Sequence, residues 1–122
     1  MEKTTIRILV IVFLLAAVFY YSTRDPILKE AIRKPNADIF LFDGVVYKNA
    51  IDIEWVQERE LTLGKEVGSI TRNSKTIFRF KNNTATILPR GTKIFRTYER
   101  SGDILLVKIG DEVIRYLGWR EG

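Results

Sequence analysis

Fourteen unbroken apolar or aromatic residues, Ile8 to Tyr21, stand near the start of a chain that has neither cysteine nor histidine. Such a run cannot form the surface of an ordinary small domain. It reads as a helix directed to a membrane. A span of the ~30 Å hydrocarbon core takes roughly 20 residues, which Thr4, Thr5, Ser22 and Thr23 can supply by hydrogen-bonding within the helix. Arg7 is the only charge from Thr4 to Thr23, and its long stem can carry the guanidinium to the headgroups. Tyr20 and Tyr21 fall where an interfacial aromatic belt is expected.

A cleaved signal needs small residues one and three positions before the cut. A cut after Ala16, Ala17 or Ser22 places Leu14, Leu15 or Tyr20 at the third position. The expectation is therefore an uncleaved signal anchor. No cysteine is present for lipid attachment. Sidedness has two readings. Lys3 and Arg7 before the run, against Arg24, Lys29, Arg33 and Lys34 after it, place the C-terminal side in the cytoplasm. A short tail, one hydrophobic segment and a long domain form a signal-like start, and an extracytoplasmic domain is the expectation adopted.

The domains expected are an N-terminal anchor at 1–23, a short helical or polar stalk at 24–37, and one small β-rich domain at 38–122. Asp25 as N-cap, Pro26 in the first turn and Ile27 to Arg33 predict a short helix that Pro35 ends. From Ile39 the punctuation is that of strands. Ile39 to Phe42 and Val45 to Lys48 flank Asp43-Gly44, a pair suited to a tight hairpin turn. Val67 to Arg72, Thr76 to Lys81, Thr84 to Leu88 and Thr92 to Tyr98 follow as short runs, and Ile104 to Ile109 and Glu112 to Leu117 flank a second hairpin turn at Gly110-Asp111. Residues 51–64 alternate like a strand at Ile51, Ile53 and Trp55, yet also suit a short helix. The fold class expected is mainly β, a small antiparallel sheet or SH3-like barrel, or α+β, preceded by one transmembrane helix.

Most catalytic chemistry lacks its parts. Without histidine or cysteine there is no Ser-His or Cys-His pair, no thiol redox centre and no zinc site of ordinary type. The serines lie in no Gly-x-Ser-x-Gly elbow, and the glycines at 64 and 68 make no phosphate loop. Asp52, Glu54 and Glu58 could form a glycosidase-like pair, but a solvated acidic face is the plainer reading. No enzyme, cofactor or metal is expected. Trp55 and Trp119 read as core or rim residues, and Asn82-Asn83-Thr84 as a chance glycosylation sequon.

Charge is blocked along the chain. Residues 38–66 carry seven acids against three bases, while residues 67–98 carry seven bases and no acid. In Ile77-Phe78-Arg79-Phe80-Lys81 a period of two puts both bases on one face. With Lys93 and Arg96 on a neighbouring run, they form a candidate anionic-surface site: Arg79, Lys81, Lys93 and Arg96. For a membrane-bound chain the partners in reach are anionic lipid, a cell-wall polymer or another membrane protein, and nucleic acid is disfavoured. The competing reading pairs these bases with the acidic segment across the sheet.

Residues Ile87 to Phe95, Ile104 to Asp111 and Val113 to Leu117 are similar to part of the bacterial SH3-like domains: a leucine, a turn ending in glycine and threonine, a strand, and a final hairpin with a tyrosine near its end. The whole chain resembles small, uncharacterised, single-pass envelope proteins of Gram-positive spore-formers, through Asp43 to Tyr47, Asp52 to Trp55, Gly64 to Ile70 and Leu88 to Ile94. That resemblance implies location and architecture without a known activity. The function expected is non-enzymatic binding or scaffolding by a membrane-anchored, extracytoplasmic domain at the cell envelope. The alternative is a regulatory partner of another membrane protein, contacted through the anchor and the juxtamembrane helix.

Overall fold

The computed structural model describes residues 2–23 and 26–120, with side chains for 3–19 and 26–120. Asp25 as an N-cap, Arg24 as a flanking charge and the Tyr20–Tyr21 belt lie outside what is described. The first element is a helix, α1, Glu2–Thr23. Its described apolar side chains run without a break from Ile8 to Phe19, ~18 Å at the rise of an α-helix against a core of ~30 Å. Among the described residues no helix is long and apolar enough to cross a membrane. The expected transmembrane helix, and with it the signal anchor and single-pass membrane attachment, is corrected by this finding.

The remainder is mainly β. Eight strands, β1 (Ile39–Phe42), β2 (Val45–Asn49), β3 (Leu63–Ser69), β4 (Arg72–Asn73), β5 (Thr84–Ala85), β6 (Lys93–Thr97), β7 (Ile104–Ile109) and β8 (Glu112–Trp119), form one sheet. Its order is β3-β6-β7-β8-β2-β1-β5-β4. Every pairing is antiparallel except β4 with β5. The first and last strands of that order are consecutive pieces of one segment, so the sheet curls like a barrel. Ile70 carries the handover. Its N–H donates to Thr92 O (2.8 Å) and its carbonyl accepts from Gly91 N (2.7 Å), while the next N–H, of Thr71, donates to Asn83 O (2.9 Å).

Both hairpins close on residues that tolerate left-handed backbone. Asp43 (φ 50°) and Gly44 (φ 77°) supply the two positive values a type I′ turn needs, and set Phe42 opposite Val45. The β7–β8 hairpin pairs Ile109 with Glu112 across Gly110-Asp111.

Alternation then sorts the side chains. Phe40, Tyr47, Ile70, Leu88, Ile94, Leu105, Val107 and Tyr116 form the central cluster. Within it Phe40 stacks on Tyr47 at 5.3 Å between ring centres and meets Tyr116 at 5.0 Å. The opposite parity of the strands is covered in two places. The helix α2 (Pro26–Arg33) lays Leu28 and Ala31 on Ile39, Val46, Ile77 and Phe80. The short helix α3 (Glu54–Gln57) puts Val56 against Ala50, Ile104 and Leu106. The ambiguous 51–64 stretch is thus a helical turn followed by the start of β3.

The strand expected at Thr76 to Lys81 is not formed. Ile77–Arg79 is a single 3-10 turn. Ile77 and Phe80 are three residues apart and both buried beneath α2, a spacing that a turn meets and a strand's period of two does not. Phe78, read as sharing a face with Phe80, is instead 53 % exposed.

Candidate functional site

The four bases singled out in the sequence do not share one surface. Arg79 and Lys81 sit at and just after the 3-10 turn beside α2. Lys93 and Arg96 lie on β6, three positions apart and hence on opposite faces. Lys93 stands opposite Lys108 and makes an exposed ion pair with Glu66 at 3.6 Å. Arg96 has the parity of Ile94, which points into the central cluster, and it borders a cleft. The acids Asp52, Glu54 and Glu58 are exposed around α3. Among the described residues no group of His, Cys, Asp and Glu could hold a metal ion. Trp119 belongs to the packing under α2, with Lys34 and Lys48 over its ring at 5.1 and 5.6 Å.

The cleft beside Arg96 has a volume of about 370 Å³, within the ~300–1,000 Å³ typical of small-molecule sites. The β1–β2 hairpin lines it with Phe42, Asp43 and Val45. Strand β6 lines it with Arg96, the connection from β6 to β7 with Arg100 and Asp103, and Arg120 follows β8. The connection is held firmly. Thr97 Oγ1 bonds Glu99 O (2.6 Å) and Ser101 Oγ (2.5 Å), and Gly118 N donates to Asp103 O (2.7 Å). Glu99 accepts from Thr62 N (2.8 Å) and Thr62 Oγ1 (2.7 Å), and these bonds lower its pKa. Arg120 Nε donates to Asp103 Oδ2 at 2.9 Å, which raises the Arg120 pKa.

Tyr47 lines the cleft from the core, together with Ile104 and Leu105. It is 7 % exposed, its ring is stacked on Phe40, and its hydroxyl has no hydrogen-bond partner among the described residues. The phenol group is half-buried and borders the cleft, so its hydroxyl is free to bond whatever occupies that space. Burial raises the Tyr47 pKa, reinforced by Asp103 and opposed by Arg120 and Arg96; the phenol is a proton donor at neutral pH. Space for it is made by Gly118, its partner across β2 and β8. A Cβ on Gly118 would lie 3.1 Å from Tyr47 Cε1 and 2.9 Å from Asp103 Cβ. Arg96 and Arg100 have no ion pair among the described residues. The cleft thus offers one phenolic O–H donor and two guanidiniums with donors unspent among the described residues.

Sequence reading reached Arg96 and missed Tyr47, Arg100, Asp103 and Arg120. They meet only because β2, the β6–β7 connection and the end of β8 converge. One signal was available: Arg96 repeats the inward parity of Ile94 on an otherwise alternating strand. Comparisons with protein-family models, with curated proteins and with solved structures find no match.

Proposed function

We propose that the β domain is a non-enzymatic recognition module that binds phosphate-bearing material of the cell envelope, an anionic lipid headgroup or an anionic wall polymer, in the Tyr47 cleft. The observation that carries this reading is one cleft lined by the Tyr47 hydroxyl, which has no hydrogen-bond partner among the described residues, and by Arg96 and Arg100, which have no ion pair among them. A phosphate oxygen would satisfy the phenol, and arginine forks match the remaining oxygens bidentately. The absence of histidine and cysteine from the sequence favours binding over turnover.

The test is titration of the full chain with inorganic phosphate, followed through the ring signals of 13C-labelled tyrosine. Tyr47 is expected to shift saturably. Arg96→Gln with Arg100→Gln should weaken binding about tenfold or more, since a hydrogen bond to a charged group contributes about 1.5–3 kcal/mol. Arg79→Gln with Lys81→Gln, neither of which lines the cleft, should leave it within about twofold. Equal losses in both double variants would replace the cleft by diffuse basic attraction.

A further inference from the structure

The cleft is not simply basic. Arg96, Arg100 and Arg120 are matched in number by Asp43, Glu99 and Asp103. Two of those acids are engaged: Asp103 holds Arg120, and Glu99 is turned to Thr62. Asp43 has no ion pair among the described residues. It sits at the tip of the β1–β2 hairpin, fixed by the left-handed turn, with its neighbour Gly44 N donating to Asn82 Oδ1 at 2.9 Å. Its charge is felt by both Tyr47 and Arg120, so it stands within electrostatic reach of the cleft interior. The groups with neither ion pair nor side-chain hydrogen bond among the described residues therefore divide into a positive pole, Arg96 and Arg100 on β6 and the connection after it, and a negative pole, Asp43 at the tip of the β1–β2 hairpin that also carries Tyr47. A bare polyanion would be repelled by the second pole. A dipolar ligand uses both.

Resting on the phosphate reading, we infer that the ligand is a zwitterion: a phosphate joined through a short linker to a primary ammonium, the phosphate at Tyr47, Arg96 and Arg100 and the ammonium at Asp43. The same chemistry occurs as a lipid headgroup and as an amine-substituted, phosphate-linked polymer. A primary ammonium has three N–H donors for a carboxylate, whereas a quaternary one has none. Phosphoethanolamine is therefore expected to bind more tightly than phosphocholine.

The full chain is titrated with inorganic phosphate, phosphoethanolamine and phosphocholine, again through the Tyr47 ring signals. Phosphoethanolamine is expected to bind about fivefold more tightly than phosphate, the advantage an exposed ion pair provides. Asp43→Asn should abolish that advantage, read as the ratio of the phosphoethanolamine and phosphate affinities of the same variant. Asparagine keeps the turn, because it tolerates positive φ; an unchanged melting temperature checks this. Equal affinities for phosphate and phosphoethanolamine, or an advantage that survives Asp43→Asn, would overturn the zwitterion and leave the phosphate site standing. No Tyr47 shift with any of the three would overturn both. Sedimentation with phosphatidylethanolamine vesicles assigns the ligand to a lipid; binding of free phosphoethanolamine without sedimentation assigns it to a polymer or a soluble molecule.

Discussion

Arg115 ties the last strand to the short helix that covers it. Its Nη1 donates to Val56 O (2.6 Å), Gln57 O (3.0 Å) and Arg59 O (2.7 Å), carbonyls at and just beyond the end of that helix. Arg115→Ala should destabilise the domain by about 1–2 kcal/mol, read as a shift in the urea midpoint. Arg115→Lys should recover part of it, because one ammonium nitrogen has three N–H donors for the same carbonyls. Nothing in the sequence around Arg115 announces this role, since its partners lie 56 to 59 residues away. The same limit hid Tyr47. An alternating strand shows which face a tyrosine occupies, but not that its hydroxyl lacks a partner, which depends on every strand that packs near it. Gly118→Ala is the matching test: the new methyl would press on Tyr47 and Asp103. Phosphate affinity should fall severalfold at a cost of about 1–3 kcal/mol, as overpacking gives, and native gel mobility or tyrosine signals will register the displaced ring.

Local chemistry made some elements legible and contact geometry made others illegible. The Asp43-Gly44 and Gly110-Asp111 hairpins are specified within a few residues, and their registers follow from turn geometry. The Ile77 to Lys81 stretch has the alternating pattern of a strand, yet burial of Ile77 and Phe80 together under Leu28 and Ala31 selects a turn. That choice depends on α2, nearly fifty residues earlier, and propensity alone does not carry it. Between β3 and β6 the backbones approach closely at Gly64, where a Cβ would stand 2.8 Å from Arg96 O. The obstacle is main chain and cannot rotate away. Gly64→Ala is expected to cost about 1–3 kcal/mol and to loosen the strand that bears Arg96. Faster amide exchange along residues 93–97 than along residues 112–117 will show this.

At the scale of the molecule, two buried tyrosines set the alkaline limit of stability. Tyr116 is fully buried and its hydroxyl donates to Asp38 Oδ1 at 2.8 Å; burial, then this bond, pushes its pKa up. Tyr47 is raised chiefly by burial. A raised folded pKa means the native state keeps a proton that the unfolded chain releases near pH ~10. Stability is therefore fully present below that value and declines above it, by up to about 1.4 kcal/mol per pH unit for Tyr116, with Tyr47 adding in the same direction. Urea unfolding at pH 8, 10 and 11 should show the decline, and Tyr116→Phe should remove most of it while lowering stability at pH 8.

The curl of the sheet also has a kinetic meaning. Residues 63–73 must find β6 on one side and β5 on the other, so their contacts join parts of the chain that the hairpins do not bring together. Loop entropy makes such contacts late ones. The β1–β2 and β7–β8 hairpins are expected in the transition state, with the segment through Ile70 seated after it. Ile70→Val, at a site 1 % exposed, should cost about 0.5–1.5 kcal/mol. Nearly all of it should appear as faster unfolding with an unchanged refolding rate. In that case the strand that closes the ring is also its clasp: the first piece to let go, and the one whose release opens the sheet at both edges at once.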